Sequence, residues 1–262
     1  FGIVWGPSAN DFRLSVFGQG GNLAGESNRL NLAGLLGRRE LVSLRSPAPQ
    51  TYSISTSHTA GAGTVQSVSG TVTITRAQLP MLADLAGLSP QTLDAAERAV
   101  VANILLPRGP LFRPGHTVRR SELADAVLRA GMVPQYLAAQ PMFSDVRSKW
   151  QRGAVESSAA APQGSLFYDA AAAGGQFRPY HNATRLVAAI ALVRAAGLDS
   201  GAVTAQLPLS VTDASSIPAA WRGHVAVALD RGYLTLRNGK FEPDAALSRG
   251  DLAIALVNIL GL

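Results

Sequence analysis

The phrase Phe177-Arg-Pro179, followed by Arg185, decides the fold because the chain contains three copies of it. The other two copies are Phe112-Arg-Pro114 with Arg120, and Phe241-Glu-Pro243 with Arg249. In each copy the proline stands two residues and the arginine eight residues beyond the phenylalanine. The copies start 65 residues apart (from 112 to 177) and then 64 (from 177 to 241), so the chain carries an internal repeat.

Each repeat arginine (Arg120, Arg185 or Arg249) is predicted to open an amphipathic helix. Apolar residues stand three, four, seven and eight positions beyond it, which is the spacing of one helix face. They are Leu123, Ala124, Val127 and Leu128, then Ala188, Ala189, Leu192 and Val193, then Leu252, Ala253, Leu256 and Val257. A glycine predicts a left-handed end to each helix, at Gly131, Gly197 and Gly261. Thr184 and Ser248 are good N-caps, whereas Arg119 predicts a weaker cap in the first copy.

Composition allows a sizeable core beneath an unusually uncharged surface, because 47% of residues are hydrophobic and 15% are charged. The net charge is +6, and 21 arginines with Lys149 and Lys240 supply the positive charge. The arginines are spread along the chain without a basic run, so an anionic polymer is a possible partner and nucleic acid is not expected. Arginine binds carboxylate and phosphate through two parallel hydrogen bonds.

The chain contains no cysteine, which excludes disulfides and thiolate metal sites and leaves the compartment open. No apolar run is long enough to span a bilayer. The chain begins at Phe1 without an initiator methionine or a signal peptide, so we expect either a processed precursor or a fragment.

Residues 1–75 are predicted to form an all-β sandwich, either complete or truncated. Apolar and polar residues alternate over Phe12 to Val16, at Val42 and Leu44, over Tyr52 to Ile54 and over Val72 to Ile74. Gly, Asn, Ser and Pro are frequent between these stretches, as in a sandwich of short strands. The glycines from Gly18 to Gly25 predict a hairpin or loop rather than a phosphate-binding loop, because no helix follows them.

The remaining residues are predicted to be mainly helical, in three repeats over 76–140, 141–205 and 206–262. Helical periodicity begins near Arg76 and extends to Gly87, and a second helix is expected from Leu93 to Ile104. Phe143-Ser-Asp145-Val146 precedes a helix near Trp150. Asp213 precedes a helix that carries Trp221. The first copy has neither the Phe-x-Asp phrase nor the tryptophan.

The three copies resemble the S-layer homology repeat, which is usually present in threes; the second and third match well, and the first is a degenerate copy. The resemblance rests on Phe-Ser-Asp-Val, a helical Trp, a Gly-containing loop, Phe-x-Pro, and Thr-Arg or Ser-Arg opening an apolar helix. It implies a roughly threefold helical bundle whose grooves hold a cell-wall polysaccharide or a peptidoglycan-linked polymer, at the surface of a bacterium. Carried over, the polymer-binding residues are Arg120, Arg185, Arg249, Trp150, Trp221, Asp145 and Asp213.

Residues 1–60 resemble the later strands of the pre-peptidase C-terminal type sandwich that follows secreted subtilisin-like peptidases. Val4-Trp5, Gly21-Asn22-Leu23 and Thr51-Tyr52-Ser53-Ile54 carry the resemblance. The expected function is therefore non-catalytic anchoring of an exported protein, whose peptidase domain would lie upstream. If early strands are missing, one sheet keeps an unpaired edge that can recruit another chain.

That edge supports an alternative function, in which the chain is a released subunit that polymerises into a filament or surface layer. Phe1, Gly2, Ile3, Val4 and Trp5 would then be the assembly strand. A simpler interpretation is that Phe1 to Trp5 and Val65 to Ile74 complete a smaller sandwich. A third possibility is that the sandwich assists an absent protease domain.

Each proposed binding residue also has a purely structural interpretation. A cation in the first turn of a helix opposes the helix dipole, so each repeat arginine needs a partner. That partner is either an anionic ligand or a carbonyl or carboxylate of the neighbouring repeat, with Asp145 and Asp213 as candidates. Packing is the favoured role for Trp150 and Trp221.

No cofactor, metal site or catalytic residue is predicted. His116 and His181 stand four residues after their phenylalanines on different repeats, where turn hydrogen bonding is more plausible than metal binding. No serine-centred elbow, paired acid set or metal-binding His pair occurs in the sequence.

Overall fold

The computed structural model describes residues 2–5, 11–27, 38–42, 50–60, 82–170 and 175–262. In the described residues, strands occupy the N-terminal part of the chain and helices the C-terminal part. Leu14, Val16 and Val42 form a small buried cluster among the strands, and a second, much larger cluster extends through the helical region.

The five described strands are short. They are β1 (Gly2–Trp5), β2 (Asp11–Phe17), β3 (Leu23–Ser27), β4 (Arg38–Leu41) and β5 (Ser53–Ala60). β1 pairs antiparallel with β4, and β2 lies between β3 and β5 in an antiparallel three-stranded sheet. A turn over 18–22 joins β2 to β3, which confirms the predicted hairpin.

The described strands do not show the predicted all-β sandwich. They form one two-stranded and one three-stranded sheet. Gly2–Trp5, the predicted assembly strand, is already paired with β4 within the chain. Phe1 and the predicted strand at 72–74 lie outside the described residues.

Seven α-helices follow in the described part of the chain. They are α1 (Pro90–Val101), α2 (Arg120–Arg129), α3 (Lys149–Ala159), α4 (Arg185–Ala195), α5 (Asp199–Ala202), α6 (Arg222–Asp230) and α7 (Arg249–Leu260). Short 3-10 turns over Ala214–Ser216 and Ala219–Trp221 precede α6. The prediction that each repeat arginine opens a helix is confirmed.

The N-caps and the C-terminal glycines of the arginine-bearing helices are as predicted. Thr184 accepts a hydrogen bond from the N–H of Val187, and Ser248 accepts one from the N–H of Asp251. The first copy lacks such a hydroxyl, and there Glu122 accepts from the N–H of Arg119 at 2.9 Å. The glycines that follow α2, α4 and α7 all have positive φ, at Gly131, Gly197 and Gly261.

The helix predicted from Arg76 to Gly87 is wrong where the structure describes it. Residues 82–88 form turns, and residues 76–81 lie outside the described residues. Ser89 caps α1 and Pro90 occupies its first position, so the helix starts earlier than the predicted Leu93. Proline is favoured at that position because the first helical N–H has no partner in the helix.

Six of the helices pack in three pairs. α2 packs against α3, α4 against α6, and α7 against α1. The last of these pairs joins the end of the chain to the beginning of the helical region. Most of the buried apolar side chains of these helices belong to one continuous core, which contains Leu123, Ile190 and Leu256.

Candidate functional site

Three backbone segments of the helical region are joined by hydrogen bonds. The N–H of Val118 donates to the carbonyl of Leu247, that of Leu247 to Ala183, and that of Ala183 to Val118. Each of these hydrogen bonds is 2.8 Å long, and all three side chains are buried. Each residue lies two positions before a repeat arginine. The closed cycle therefore fixes where all three arginine-bearing helices begin.

Each repeat arginine reaches the phenylalanine of another copy of the phrase. Nε donates to its carbonyl at 2.7 to 2.9 Å, in the pairs Arg120 with Phe177, Arg185 with Phe241, and Arg249 with Phe112. The guanidinium carbon also lies 4.9 to 5.2 Å from the centre of that phenylalanine ring. We call these pairs the first, second and third junctions, in that order.

An aspartate carboxylate accepts hydrogen bonds from the backbone N–H groups at these phenylalanines. Asp145 accepts from the N–H groups of Phe177 and Arg178 at 2.9 and 2.7 Å. Asp213 accepts from those of Phe241 and Glu242, both at 2.8 Å. The residue after each phenylalanine has a left-handed backbone, with φ of 60° at Arg178 and 56° at Glu242. That backbone costs a non-glycine residue about 1 kcal/mol or more, which the paired hydrogen bonds offset.

The first copy has such an aspartate as well, which corrects the expectation that it is missing. Asp84 accepts from the N–H of Phe112 at 2.8 Å and from the N–H of Arg113, where φ is 61°. Asp84 precedes its phenylalanine by 28 residues, as Asp213 does, whereas the interval after Asp145 is 32. Sequence reasoning missed Asp84 because Leu82 stands where the second copy has a phenylalanine.

At the first junction, the charge of Arg120 is neutralised by a carboxylate of the same chain. Arg120 is only 4% exposed, and both of its terminal nitrogens donate to Asp169 at 2.9 Å. Two parallel bonds to one carboxylate make this a strong pair. The guanidinium of Arg120 therefore has its nitrogens directed at Phe177 and Asp169 rather than at solvent.

The second junction is the most deeply buried, with Arg185 at 0% exposure. Its Nη2 donates to the carbonyl of Thr235 at 2.5 Å, and its Nη1 lies 3.8 Å from Oδ2 of Asp251. Asp251 also binds Arg237 at 2.6 Å. Burial, followed by the Arg237 charge, lowers the pKa of Arg185, while Asp251 opposes that shift.

The third junction is partly open to solvent. Arg249 is partly exposed, and its Nη2 donates to the carbonyl of Leu106 at 3.2 Å. No described carboxylate forms an ion pair with Arg249. Burial lowers its pKa; Glu122 opposes the shift, and the like charges of Arg108 and Arg113 add to it.

Trp221 lies in an internal aromatic and charged cluster. Its ring centre is 4.7 Å from that of Tyr168 and 5.2 Å from that of His224, and the guanidinium carbon of Arg194 lies 5.3 Å away. Arg194 and His224 both bind Oδ1 of Asp199, at 2.9 and 2.8 Å. These contacts favour a packing role for Trp221. Trp150 lies at the start of α3, and its side chain is outside what the structure describes.

His116 and His181 form turns through their backbones, since their N–H groups donate to the carbonyls of Arg113 and Arg178 at 3.0 and 3.1 Å. The carbonyls of His116 and His181 accept from the N–H groups of Arg249 and Arg120, and Ala245 has the same role toward Arg185. An alanine suffices at this position, so the imidazole is not required for the contact. In the described part of the chain, no group of three or more His, Asp or Glu residues has an arrangement that could hold a metal ion.

Sequence reasoning also missed an exposed tyrosine at the first junction. Tyr180 is 61% exposed, its ring centre lies 5.8 Å from the guanidinium carbon of Arg119, and its hydroxyl bonds Gln151 at 3.3 Å. An exposed ring that is held in place by polar neighbours can contact a ligand. The sequence feature that could have identified Tyr180 is its position directly after Pro179.

Comparison with known families identifies one domain. Residues 212–253 match the S-layer homology domain, and this range contains Asp213, Trp221, Phe241 and Arg249. Such domains bind secondary polymers of the cell wall and are typical of cell-surface proteins. No curated protein matches the chain. The comparisons show neither a pre-peptidase C-terminal domain nor the number of repeats. None of the described helices is both long and apolar enough to cross a membrane.

Proposed function

We propose that this chain is a non-catalytic module that anchors an exported protein to a cell-wall polymer at the bacterial surface. The single observation that carries the proposal is the S-layer homology domain at residues 212–253. We further propose that residues 76–140 and 141–205 are two more repeats of the same kind, so that 76–262 is a pseudo-threefold bundle.

The repeated contacts support the three-repeat arrangement. The matched range supplies Asp213, Phe241 and Arg249, and the contacts of these residues recur elsewhere in the helical region. Asp145 and Phe177 form the same capped turn, and so do Asp84 and Phe112. Because each junction joins two copies, no copy completes its contacts alone, as expected of repeats that stack to bury a shared core.

The geometry divides the predicted binding residues into two proposed roles. Arg120, Arg185, Asp145 and Asp213 direct their polar atoms at internal partners, and we propose that they position the grooves rather than touch the polymer. Arg249 retains solvent access and is proposed to contact the polymer. For Trp221 we propose packing between Tyr168, His224 and Arg194.

The N-terminal sandwich and the peptidase parent remain predictions, and so does self-assembly through Phe1 to Trp5. The comparisons do not support the filament alternative. The pairing of Gly2–Trp5 with β4 occupies one edge of the strand that exchange would need.

Cosedimentation tests the anchoring function. The full chain is mixed with purified walls of a bacterium that displays S-layer homology proteins, and with the same walls stripped of their secondary polymers. We expect the protein to pellet with the intact walls, to remain soluble with the stripped walls, and to be released by the isolated polymer. Equal pelleting with both preparations, or no pelleting with either, would overturn the proposal.

A further inference from the structure

We propose that Asn238 is a site of spontaneous covalent modification, at which the side-chain amide is lost through a succinimide ring, and that the product weakens the second junction. Asn238-Gly239 is the one place in the chain where glycine follows an asparagine. Asparagine is among the thermally labile residues of proteins. The reaction consumes only water, and it is separate from the binding of a wall polymer.

The reaction joins two groups that are neighbours in the chain. The backbone nitrogen of Gly239 attacks Cγ of Asn238, and the side-chain amide nitrogen leaves as ammonia with the proton of that backbone nitrogen. Water then opens the ring at one of its two carbonyls. Opening at the side-chain carbonyl gives aspartate, whereas opening at the backbone carbonyl gives isoaspartate, whose main chain contains an additional carbon. No oxidant, reductant or enzyme is needed.

The structure leaves both reacting groups without a competing partner. Asn238 is exposed and Gly239 is half-buried. Among the described residues, no hydrogen bond engages the side chain of Asn238 or the N–H of Gly239. Because glycine has no Cβ, no side chain shields its nitrogen or restricts rotation of the preceding peptide group.

Asn238 and Gly239 form a two-residue turn at the tip of a short hairpin. Both residues have positive φ, of 51° and 76°, as a type I′ turn requires. The N–H of Arg237 donates to the carbonyl of Lys240 at 2.8 Å, and the reverse bond is 3.0 Å long. Ring closure requires Asn238 to leave this conformation, so we expect the reaction during local opening of the exposed turn.

The two products differ in how well they fit the turn. Aspartate followed by glycine is favoured in type I′ turns, as asparagine is, so the aspartate product retains the hairpin. Isoaspartate lengthens the main chain between Arg237 and Gly239. We therefore expect isoaspartate to displace the carbonyl of Gly239.

That carbonyl connects the turn to the second junction. It accepts from the N–H of Thr212 at 2.9 Å and from the Thr212 hydroxyl at 3.0 Å. Thr212 directly precedes Asp213, whose carboxylate accepts from the N–H groups of Phe241 and Glu242. Displacement of the Gly239 carbonyl would therefore loosen the segment that holds Phe241 in place.

Arg237 provides a second connection from the turn to the junction. Its guanidinium binds Asp251 at 2.6 Å and lies 3.4 Å from Glu242. Both products carry a carboxylate in place of the neutral amide, one residue beyond Arg237. We expect this new charge to compete with Asp251 for the guanidinium.

The matching turn of the first copy lacks the reacting groups. Arg108 pairs with Leu111 across that turn, as Arg237 does with Lys240. Its central residues are Gly109 and Pro110, which provide neither a side-chain amide nor, at the proline, a backbone N–H.

Timed incubation of the full chain at mildly alkaline pH tests the modification. Mass spectrometry of peptic fragments follows the replacement of NH2 by OH, and isoaspartyl methyltransferase detects isoaspartate. Asn103 and Asn182 are internal controls, since Asn103 is also left-handed, with φ of 59°, and Asn182 is also exposed, but neither precedes a glycine. We expect Asn238 to react at least about tenfold faster than either, which a barrier lower by about 1.4 kcal/mol gives. Equal rates at the three asparagines would overturn the proposal.

The variant Asn238→Gly cannot form the ring and retains a sequence favoured in type I′ turns. After incubation, the modified wild-type fraction is separated by ion exchange through its additional negative charge. We expect it to unfold about 2 to 4 °C below unmodified protein, and Asn238→Gly to keep its unfolding temperature after the same incubation. An unchanged unfolding temperature of the modified fraction would overturn the proposed weakening. Neither measurement uses cell walls, so both are independent of the outcome of cosedimentation.

Discussion

Nε of Arg249 donates to the carbonyl oxygen of Phe112 at 2.9 Å, although the two residues lie 137 positions apart. The matching pairs at the other two junctions span 57 and 56 positions. The third junction therefore closes the cycle between the end and the beginning of the helical region, where α7 packs against α1. Burial at this closure lowers the pKa of Arg249, and the like charges of Arg108 and Arg113 add to the shift.

Arg185→Met is expected to lower the free energy of unfolding by about 2 to 4 kcal/mol, because it leaves the carbonyls of Phe241 and Thr235 without their charged donor. Methionine preserves much of the buried volume, so the loss reports mainly the hydrogen bonds. Urea unfolding measures it. Arg231→Met, at a side chain that is 59% exposed, is the control and should change stability by less than about 0.5 kcal/mol. Equal effects of the two substitutions would contradict a structural role for Arg185.

Asp84→Ala should destabilise the protein about as much as Asp145→Ala, by roughly 1 to 3 kcal/mol, because each removes the acceptor for two N–H groups at a left-handed residue. The comparison is made by thermal and urea unfolding. Asp230→Ala, at a side chain that is 81% exposed, controls for loss of a surface carboxylate. If Asp84→Ala behaves like Asp230→Ala, Asp84 does not share the role of Asp145.

Asp213 is expected to make stability depend on acid pH. Burial raises the pKa of this carboxyl, but the N–H groups of Phe241 and Glu242 outweigh it, so the folded-state pKa lies below 3.8. A group with a depressed folded-state pKa stabilises the protein above its unfolded value, and the stabilisation is lost as pH falls through the folded-state pKa. The stability difference between wild type and Asp213→Asn should therefore be largest near neutral pH and shrink below about pH 4. Urea unfolding between pH 7 and pH 3 measures it, and a constant difference would count against this role.

Gly223→Ala is expected to destabilise the protein by about 1 to 3 kcal/mol or more, because its Cβ would lie 1.7 Å from the carbonyl oxygen of Ala202. The backbones of α5 and α6 would have to separate to admit the methyl group. Gly201→Ala is the matched control, since a Cβ there meets nothing within 4 Å and alanine favours the helix. Its unfolding temperature should equal or exceed that of wild type, and a similar loss in both variants would show that close packing at Gly223 is not the cause.

Much of the local structure was predictable from the spacing of residues along the chain. The apolar positions after Arg185 predict the helix, although the structure buries α4 on nearly all sides and not on one face as predicted. Thr184 supplies the cap, and Gly197 takes the left-handed end with φ of 73°. These features depend on neighbours within about one or two helical turns, so periodicity and side-chain chemistry encode them directly. The S-layer homology resemblance was likewise visible in residues 212–253.

Predictions failed where local pattern and long-range contacts disagreed. The apolar spacing before Gly87 resembles a helix, yet residues 82–88 form turns in which Asp84 caps the backbone of Phe112. That acceptor role depends on residues 28 and 29 positions away, which helical periodicity does not represent. The same limit explains why the first copy seemed to lack its aspartate.

The sequence by itself determined the repeat, its helices and their ends, because these depend on interactions between residues close together in the chain. Only the tertiary structure decided what each repeat arginine faces. Asp169 neutralises Arg120, burial encloses Arg185, and Arg249 remains partly exposed, with one terminal nitrogen bound to the carbonyl of Leu106. Three identical residues at matching positions thus differ in charge environment and solvent access, because both are set by groups that folding brings together from distant parts of the chain.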